Sequence, residues 1–346
     1  MYKSLNFNLA CALLYSFAGG SSMLQFNLFN LDTVLIKNKT IAIEAIPTPT
    51  ISKFEKIRRP HGYNLPTQIS GSVTASLDSI NIEGFADAEP ILCEQKAISE
   101  ALERYALKYF TFKNKVTETS SGWACHFSPV QAIENALFEL IERDVALTNW
   151  EDYGTFFEIP EILWPSKIIN WKMNHPENIE FSNLKIYLSK NENGCCVTAL
   201  LFNDKSNFVA GHASRNSLDQ AILSATSECM RAAHSALRFE YINDVISLHT
   251  YKHFNAVEPG AHSLAYAYSQ TLPKEIRIEL STAEKILDLW NFHQNNFKFL
   301  DYSNLDITLF KIENRFVARV KSNKMREIYW GQNKIECKNI YPHIVG

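Results

Sequence analysis

The sequence predicts an α+β fold in a single domain, residues 1–346, and three observations carry that expectation. Strand-like runs lie near both ends, while three long helix-like segments occupy the middle. No low-complexity segment or clear linker divides them. Apolar residues make up 46% of the 346, enough to bury a sizeable core.

Residues 33–46 alternate around Asn38, with Val34, Leu35 and Ile36 on one arm and Ile41, Ala42 and Ile43 on the other. This pattern predicts a hairpin, placed in an N-terminal extension (residues 1–50) that could serve oligomerisation. Pro47, Pro49, Pro60 and Pro66 punctuate the loop that follows, and extended segments run on through Asn81. Helices are predicted over 90–110, 128–150 and 217–237, with a further helical stretch at 283–292. Strands are predicted over 185–188, 196–202, 208–214, 307–312 and 316–320, and Asn193-Gly194 offers positive φ for a hairpin turn. Two helix starts are specified by side-chain chemistry. Ser128-Pro129-Val130-Gln131 and Ser217-Leu218-Asp219-Gln220 both fit the S-x-x-Q capping box, and Pro129 suits the first helical position.

Composition excludes several roles. The net charge is −3 and the basic residues are spread out, apart from short runs such as 56–59, so nucleic acid is not an expected partner. The seven cysteines (Cys11, Cys93, Cys125, Cys195, Cys196, Cys229, Cys337) are odd in number and form no C-x-x-C pair. Adjacent Cys195 and Cys196 read as strand residues facing opposite sides, so neither a disulfide framework nor a zinc site is indicated, which suits a reducing cytosol. Lys3 followed by the apolar run 9–17 imitates a secretory signal. Asn8 and Tyr15 interrupt that run, however, and Gly19-Gly20-Ser21-Ser22 is not a cleavage site. No stretch reaches membrane-spanning length, so a cytoplasmic protein without a membrane partner is expected.

The chemistry lies in E-x-x-E-R, which occurs twice on separate predicted helices: Glu100, Glu103 and Arg104, then Glu139, Glu142 and Arg143. Helical spacing gives each copy two carboxylates and a guanidinium on one face. A single copy reads most simply as a surface ion pair worth about 0.3–0.5 kcal/mol. The second helix, however, is apolar over most of its circumference (Ala132, Ile133, Ala136, Leu137, Phe138, Leu140, Ile141, Val145, Ala146). Carboxylates on such a helix must be paired or metal-bound, because isolated buried charges are costly. Four converging carboxylates could hold Mg2+, with the arginines left to contact phosphate.

Ser120-Ser121-Gly122-Trp123-Ala124-Cys125, followed by Ala136-Leu-Phe-Glu-Leu-Ile-Glu-Arg-Asp144, resembles the central signature of the YcaO superfamily: S-N-G-x-A, then L-x-E-L-I-E-R-D. Residues 97–105 are similar to its earlier S-A-x-x-E-A-x-E-R-Y helix. Gly211-His-Ala-Ser214 with 221–231 is similar to its third element, and the three matches span 84–231 in family order. The resemblance implies an α+β domain with mixed and antiparallel sheets that binds ATP and Mg2+ and phosphorylates a peptide amide oxygen after a nucleophile attacks the carbonyl. The absence of a P-loop motif is consistent with it. It also implies Glu100, Glu103, Glu139 and Glu142 as Mg2+ ligands and catalytic residues. Ser120, Arg104 and Arg143 become nucleotide contacts, with Glu228 supporting the site. Lys96 and Arg231 depart from the family pattern, and both are placed with the nucleotide-binding set.

The expected reaction is azoline-forming cyclodehydration of Cys, Ser or Thr in a ribosomal precursor peptide. Thioamide or amidine formation by the same activation is the alternative, as is a degenerate scaffold or peptide-binding partner without catalysis. The family's P-x-P-x-P tail is reduced here to Tyr341-Pro342-His343-Ile344-Val345-Gly346. A separate ThiF-like or leader-binding partner and a homodimer are expected from the resemblance. Cys125-His126 could suggest a thiol with a base, but neighbours on a strand point apart and a structural cysteine is favoured. Arg319 could reach phosphate or be ion-paired. The six tryptophans (Trp123, Trp150, Trp164, Trp171, Trp290, Trp330) read as core, not as stacking platforms.

Overall fold

The computed structural model describes residues 33–327, apart from 37–38, 60–61, 117, 175–178, 205, 207, 241–271, 273 and 300–301. The signal-like segment, the turn at Asn38, Cys11, Cys337, Trp330 and the Pro342 tail lie outside the described residues. The chain opens with β1 (Thr33–Ile36), β2 (Lys39–Ala45), β3 (Thr50–Ile51), β4 (Glu55–Ile57), β5 (Ile69–Leu77) and β6 (Ile80–Ala88). Then come α1 (Pro90–Asn114), β7 (Trp123–His126), α2 (Pro129–Glu151), β8 (Thr155–Glu158) and α3 (Ser166–Asn174). Next are β9 (Phe181–Asn191), β10 (Gly194–Asn203), β11 (Phe208–Ala213) and α4 (Leu218–Glu240). The described chain closes with β12 (Arg277–Leu280), α5 (Ala283–Phe299), β13 (Asp306–Ile312) and β14 (Arg315–Lys321).

The strands form three sheets among the described residues: β1-β2-β13-β14-β7, β11-β10-β9-β8-β12, and β3-β5-β4 with β6 also on β5. Two pairings are parallel, β13 with β2 and β12 with β8, and the others are antiparallel. The fold is therefore α+β with mixed sheets, as expected. The N-terminal hairpin is built into the first sheet, where Ile43 pairs with Leu309.

Why α2 is apolar nearly all round is now clear. It packs on β7 and β14 of the first sheet and on β9, β10 and β11 of the second, with 0% exposure at Ile133, Leu137, Leu140 and Ile141. Cys195 and Cys196 face opposite sides of β10. Cys196 joins the α2 core, and Cys195 joins the core under α4 and α5.

Local rules explain the boundaries and the departures. The helix α1 runs four residues past the expected end, because Lys115 at φ 52° supplies the left-handed C-cap. The α2 capping box is only half formed. Ser128 Oγ accepts from Gln131 N at 3.4 Å, but the Gln131 side chain donates to Asn135, and His126 Nδ1 takes the Ser128 amide. At α4, Ser217 Oγ accepts from Gln220 N at 3.3 Å. The β9–β10 turn sits one residue earlier than expected, at Glu192-Asn193. There Asn191 Oδ1 accepts from the amides of Asn193 and Gly194, an Asx turn that dispenses with positive φ at Asn193. The helix α5 extends to Phe299, where Phe297 stacks on Phe138 of α2 with ring centroids 4.1 Å apart.

Candidate functional site

Three glycines let the site-bearing elements approach one another. A Cβ on Gly84 would fall 2.2 Å from Ala101 N, so α1 lies directly on β6 with Cys93, Ala97, Ala101 and Tyr105 buried against the sheet. Glu100, Glu103 and Arg104 project from the remaining face. A Cβ on Gly211 would fall 2.2 Å from Ala225 O, which seats α4 on β11 just before Glu228. Gly122, at φ +73°, ends the Ser120–Gly122 bend where a Cβ would meet Val320 O at 2.1 Å, and it starts β7 beside α2.

The carboxylates of α1 and α2 meet. Burial first, and then the charges of Glu139 and Glu100, hold the Glu103 carboxyl well above the usual carboxylate range. Burial pushes Glu139 up to about 8. Arg143 and the Trp123 amide pull it down, while Glu142 pushes it further up. Glu142 is 4% exposed and is raised to about 7 by burial, against Arg143 but with Glu228. Burial is thus the first cause of all three raised values, and the nearby guanidinium groups only partly offset it.

The basic groups approach without closing on these acids. Arg143 stands 3.6 Å from Glu142 and 3.9 Å from Glu139, and its buried Nε and Nη1 make no hydrogen bond. Burial opposes the Arg143 charge, but Glu142, Glu228 and Glu139 together hold its pKa above the usual guanidinium value. Arg231 Nε is 3.6 Å from Asp87 and its Nη1 is 3.9 Å from Glu100. Burial lowers the Lys96 ammonium, and the like charges of Arg215 and Arg231 lower it further. Arg104 forms a 2.7 Å pair with Glu100 on the more exposed side, and Glu228 accepts from the His212 amide at 3.1 Å. Ser120 is half-buried at the bend three residues before Trp123, whose amide reaches Glu139.

The structure therefore brings together Glu100, Glu103, Glu139, Glu142, Arg143, Glu228, Arg231 and Lys96. Arg104 lies at the margin, and Ser120 is placed by the turn alone. Three members of the neighbourhood were not anticipated. Arg215 lies 3.6 Å from Glu142 Oε2, the Ser214 amide donates to that oxygen at 3.3 Å, and Asp87 pairs with Arg59 at 2.7 Å. Arg215 directly follows Gly211-His-Ala-Ser214, so it was within reach of the motif. Asp87 carried no local signal.

Among the described residues, no three His, Cys, Asp or Glu side chains close on one point as a ready metal cage. The donor set nevertheless fits Mg2+ with a polyphosphate. Mg2+ takes one or two carboxylates plus phosphate oxygens and water, and the unsatisfied Arg143 nitrogens can meet phosphate. Other candidates are structural. Burial lifts the Cys125 thiol to about 12, and His126 Nδ1 is taken by the Ser128 amide. Arg319 is held by Glu118 and Asp306, each at 2.7 Å. Trp123, Trp150, Trp164, Trp171 and Trp290 are buried. No helix of the described residues is long and apolar enough to cross a membrane.

A family model described as YcaO cyclodehydratase, ATP- and Mg2+-binding, matches residues 106–308. That range begins inside α1 and runs well past Arg231, where motif resemblance had faded. No curated protein sequence matches. Among solved structures, a heterocyclase in complex with substrate and cofactor aligns with TM-score 0.54 at 12% identity, over 80% of this chain and 50% of that one. The YcaO from Methanopyrus kandleri bound with AMPPCP and Mg2+ aligns at 0.47 and 12% identity, over 79% and 85% of the two chains. An E. coli microcin synthetase McbBCD complex with pro-MccB17 bound aligns at 0.46 and 14% identity, over 78% and 87%. At these identities the likeness is one of fold.

Proposed function

The chain belongs to the YcaO family, an ATP- and Mg2+-binding family, and from that premise we propose that it activates backbone amides of a precursor peptide at the α1–α2 carboxylate cluster. One observation supports this reading above the others: carboxylates from two helices converge beside an arginine that stands 3.6 Å from Glu142 and 3.9 Å from Glu139 and whose buried Nε and Nη1 make no hydrogen bond. Carboxylates and guanidinium groups that approach without closing on one another suit a ligand that brings cations and phosphates together.

In this reading Glu103, Glu139 and Glu142, with Glu100 at the margin, hold Mg2+. Arg143, Arg231, Lys96 and Arg104 neutralise phosphate charge, and Ser120 borders the nucleotide. Glu228 keeps Arg143 and Arg231 charged and fixes the end of β11 through the His212 amide. Bound ATP supplies the phosphoryl group that turns the amide oxygen into a good leaving group. No protein nucleophile is needed, so the chain's task is to position the substrate amide and neutralise charge. The product follows from the attacking group, and azoline formation from Cys, Ser or Thr is the proposed outcome. A separate leader-binding partner, a homodimer and a cytoplasmic setting belong to the same proposal.

The test supplies the chain with ATP, Mg2+, precursor peptide and leader-binding partner, the target amide carrying labelled oxygen. The reading expects loss of one water per modified residue, with the label in the released phosphate and no turnover by Glu142→Gln. Gain of sulfur in place of the amide oxygen identifies thioamide formation instead. Nucleotide binding with an unchanged peptide and no phosphate release favours the scaffold.

A further inference from the structure

The loop between β11 and α4 carries two groups aimed at Glu142: the Ser214 amide, 3.3 Å from Oε2, and the Arg215 guanidinium, 3.6 Å from the same oxygen. Within the loop the Arg215 guanidinium also donates to the Ser214 carbonyl at 2.7 Å, and a second hold comes from α5, almost 80 residues away in the chain. His293 is 1% exposed, packed against Trp290 and Phe138 with ring centroids 4.7 and 6.1 Å away. Its Nδ1 accepts from the Cys195 amide at 3.0 Å, so the proton sits on Nε2. That Nε2 faces Ser214 Oγ at 3.4 Å and the Arg215 carbonyl. Gln294, the next residue, donates to the Asn216 carbonyl at 2.9 Å. The ring also needs the missing side chain at Gly194, where a Cβ would come within 2.7 Å of its Nδ1.

We propose that His293 is a positioning residue of the nucleotide site: anchored to β10 through Nδ1, it uses Nε2–H to set the 214–216 loop so that Arg215 contacts phosphate and the Ser214 amide orients Glu142. This rests on reading the carboxylate cluster as the Mg·ATP site. The ring's two nitrogens do separable jobs. An asparagine places its amide oxygen where Nδ1 is and can keep the Cys195 bond, whereas a glutamine reaches the Nε2 position and can keep the Arg215 bond.

Mg·ATP affinity, measured by calorimetry, and the melting temperature of the ligand-free protein separate positioning from mere packing. His293→Asn is expected to weaken Mg·ATP roughly tenfold, as loss of an outer-shell partner does, and His293→Gln to restore most of it whatever either does to melting. Gln294→Ala, at an exposed position, is expected to weaken binding in the same sense with little change in melting. In a double-mutant cycle Arg215→Ala should add little to His293→Asn, because one interaction serves both. Variants that melt earlier but bind Mg·ATP as the wild type does would overturn the positioning role alone, as would strictly additive effects. Wild type that binds no Mg·ATP overturns both this inference and the reading beneath it.

Discussion

Binding Mg·ATP should expel protons from this protein, and the number follows from the buried acids. A carboxyl raised to about 8 and one raised to about 7 together hold roughly 1.4 protons at pH 7, since the first is roughly nine-tenths and the second half protonated. A divalent cation takes only ionised carboxylates, so these protons must leave on binding. The expected release from Glu139 and Glu142 is roughly 1.4 protons at pH 7 and a fraction of that above pH 9. Calorimetry with preformed Mg·ATP in two buffers of different ionisation enthalpy reads the number directly. Glu139→Gln should lower it by about one at pH 7, because the amide never carried that proton. Zero release at pH 7, or release that grows as pH rises, would refute the assignment of these acids as ligands.

The same raised values set the stability of the ligand-free protein. A carboxyl whose folded pKa exceeds its unfolded value favours folding fully below the unfolded pKa of about 4.3 and loses that contribution as pH climbs through the folded one. The melting temperature without ligand should therefore fall as pH rises from about 4.3 and level off above about 8, and Glu139→Gln should flatten the decline; a curve of wild-type steepness in the variant would speak against it. Mg·ATP at 100 times its Kd should add about 2.7 kcal/mol to wild-type stability, and Glu142→Gln should erase most of that gain in a thermal-shift series. Gly84→Ala forces a Cβ to within 2.2 Å of the Ala101 amide, so α1 must lift from β6, at a cost of about 1–3 kcal/mol in denaturant unfolding and with weaker Mg·ATP binding. Wild-type stability and affinity in that variant would show that the close approach does not position Glu100 and Glu103.

What was legible in the sequence was what local chemistry specifies. Repeated E-x-x-E-R on helical spacing gave both carboxylate pairs, Ser128 and Ser217 gave two helix starts, and the all-round apolar pattern of α2 indicated a mostly buried helix, which the structure covers with two sheets. What stayed hidden depends on the third dimension. The glutamine of the α2 capping box went to Asn135 because His126 already satisfied the Ser128 amide, a competition that the motif alone cannot show. The β9–β10 turn moved because Asn191 caps it through its side chain, which composition at Asn193-Gly194 does not reveal. Asp87 and His293 enter the neighbourhood from β6 and α5 by packing, and neither lies in a recognisable pattern. Arg215 was readable in part, since it adjoins the third motif, but its approach to Glu142 depends on how the β11–α4 loop packs.

The most direct measurement is a crystal structure with a non-hydrolysable ATP analogue and Mn2+ in place of Mg2+, the metal located by its anomalous signal. The expected result is a metal about 2.0–2.2 Å from carboxylate oxygens of both α1 and α2, Glu103 and Glu139 or Glu142 among them, with phosphate oxygens against Arg143. Nucleotide bound elsewhere, or metal coordinated without any of these glutamates, would contradict it.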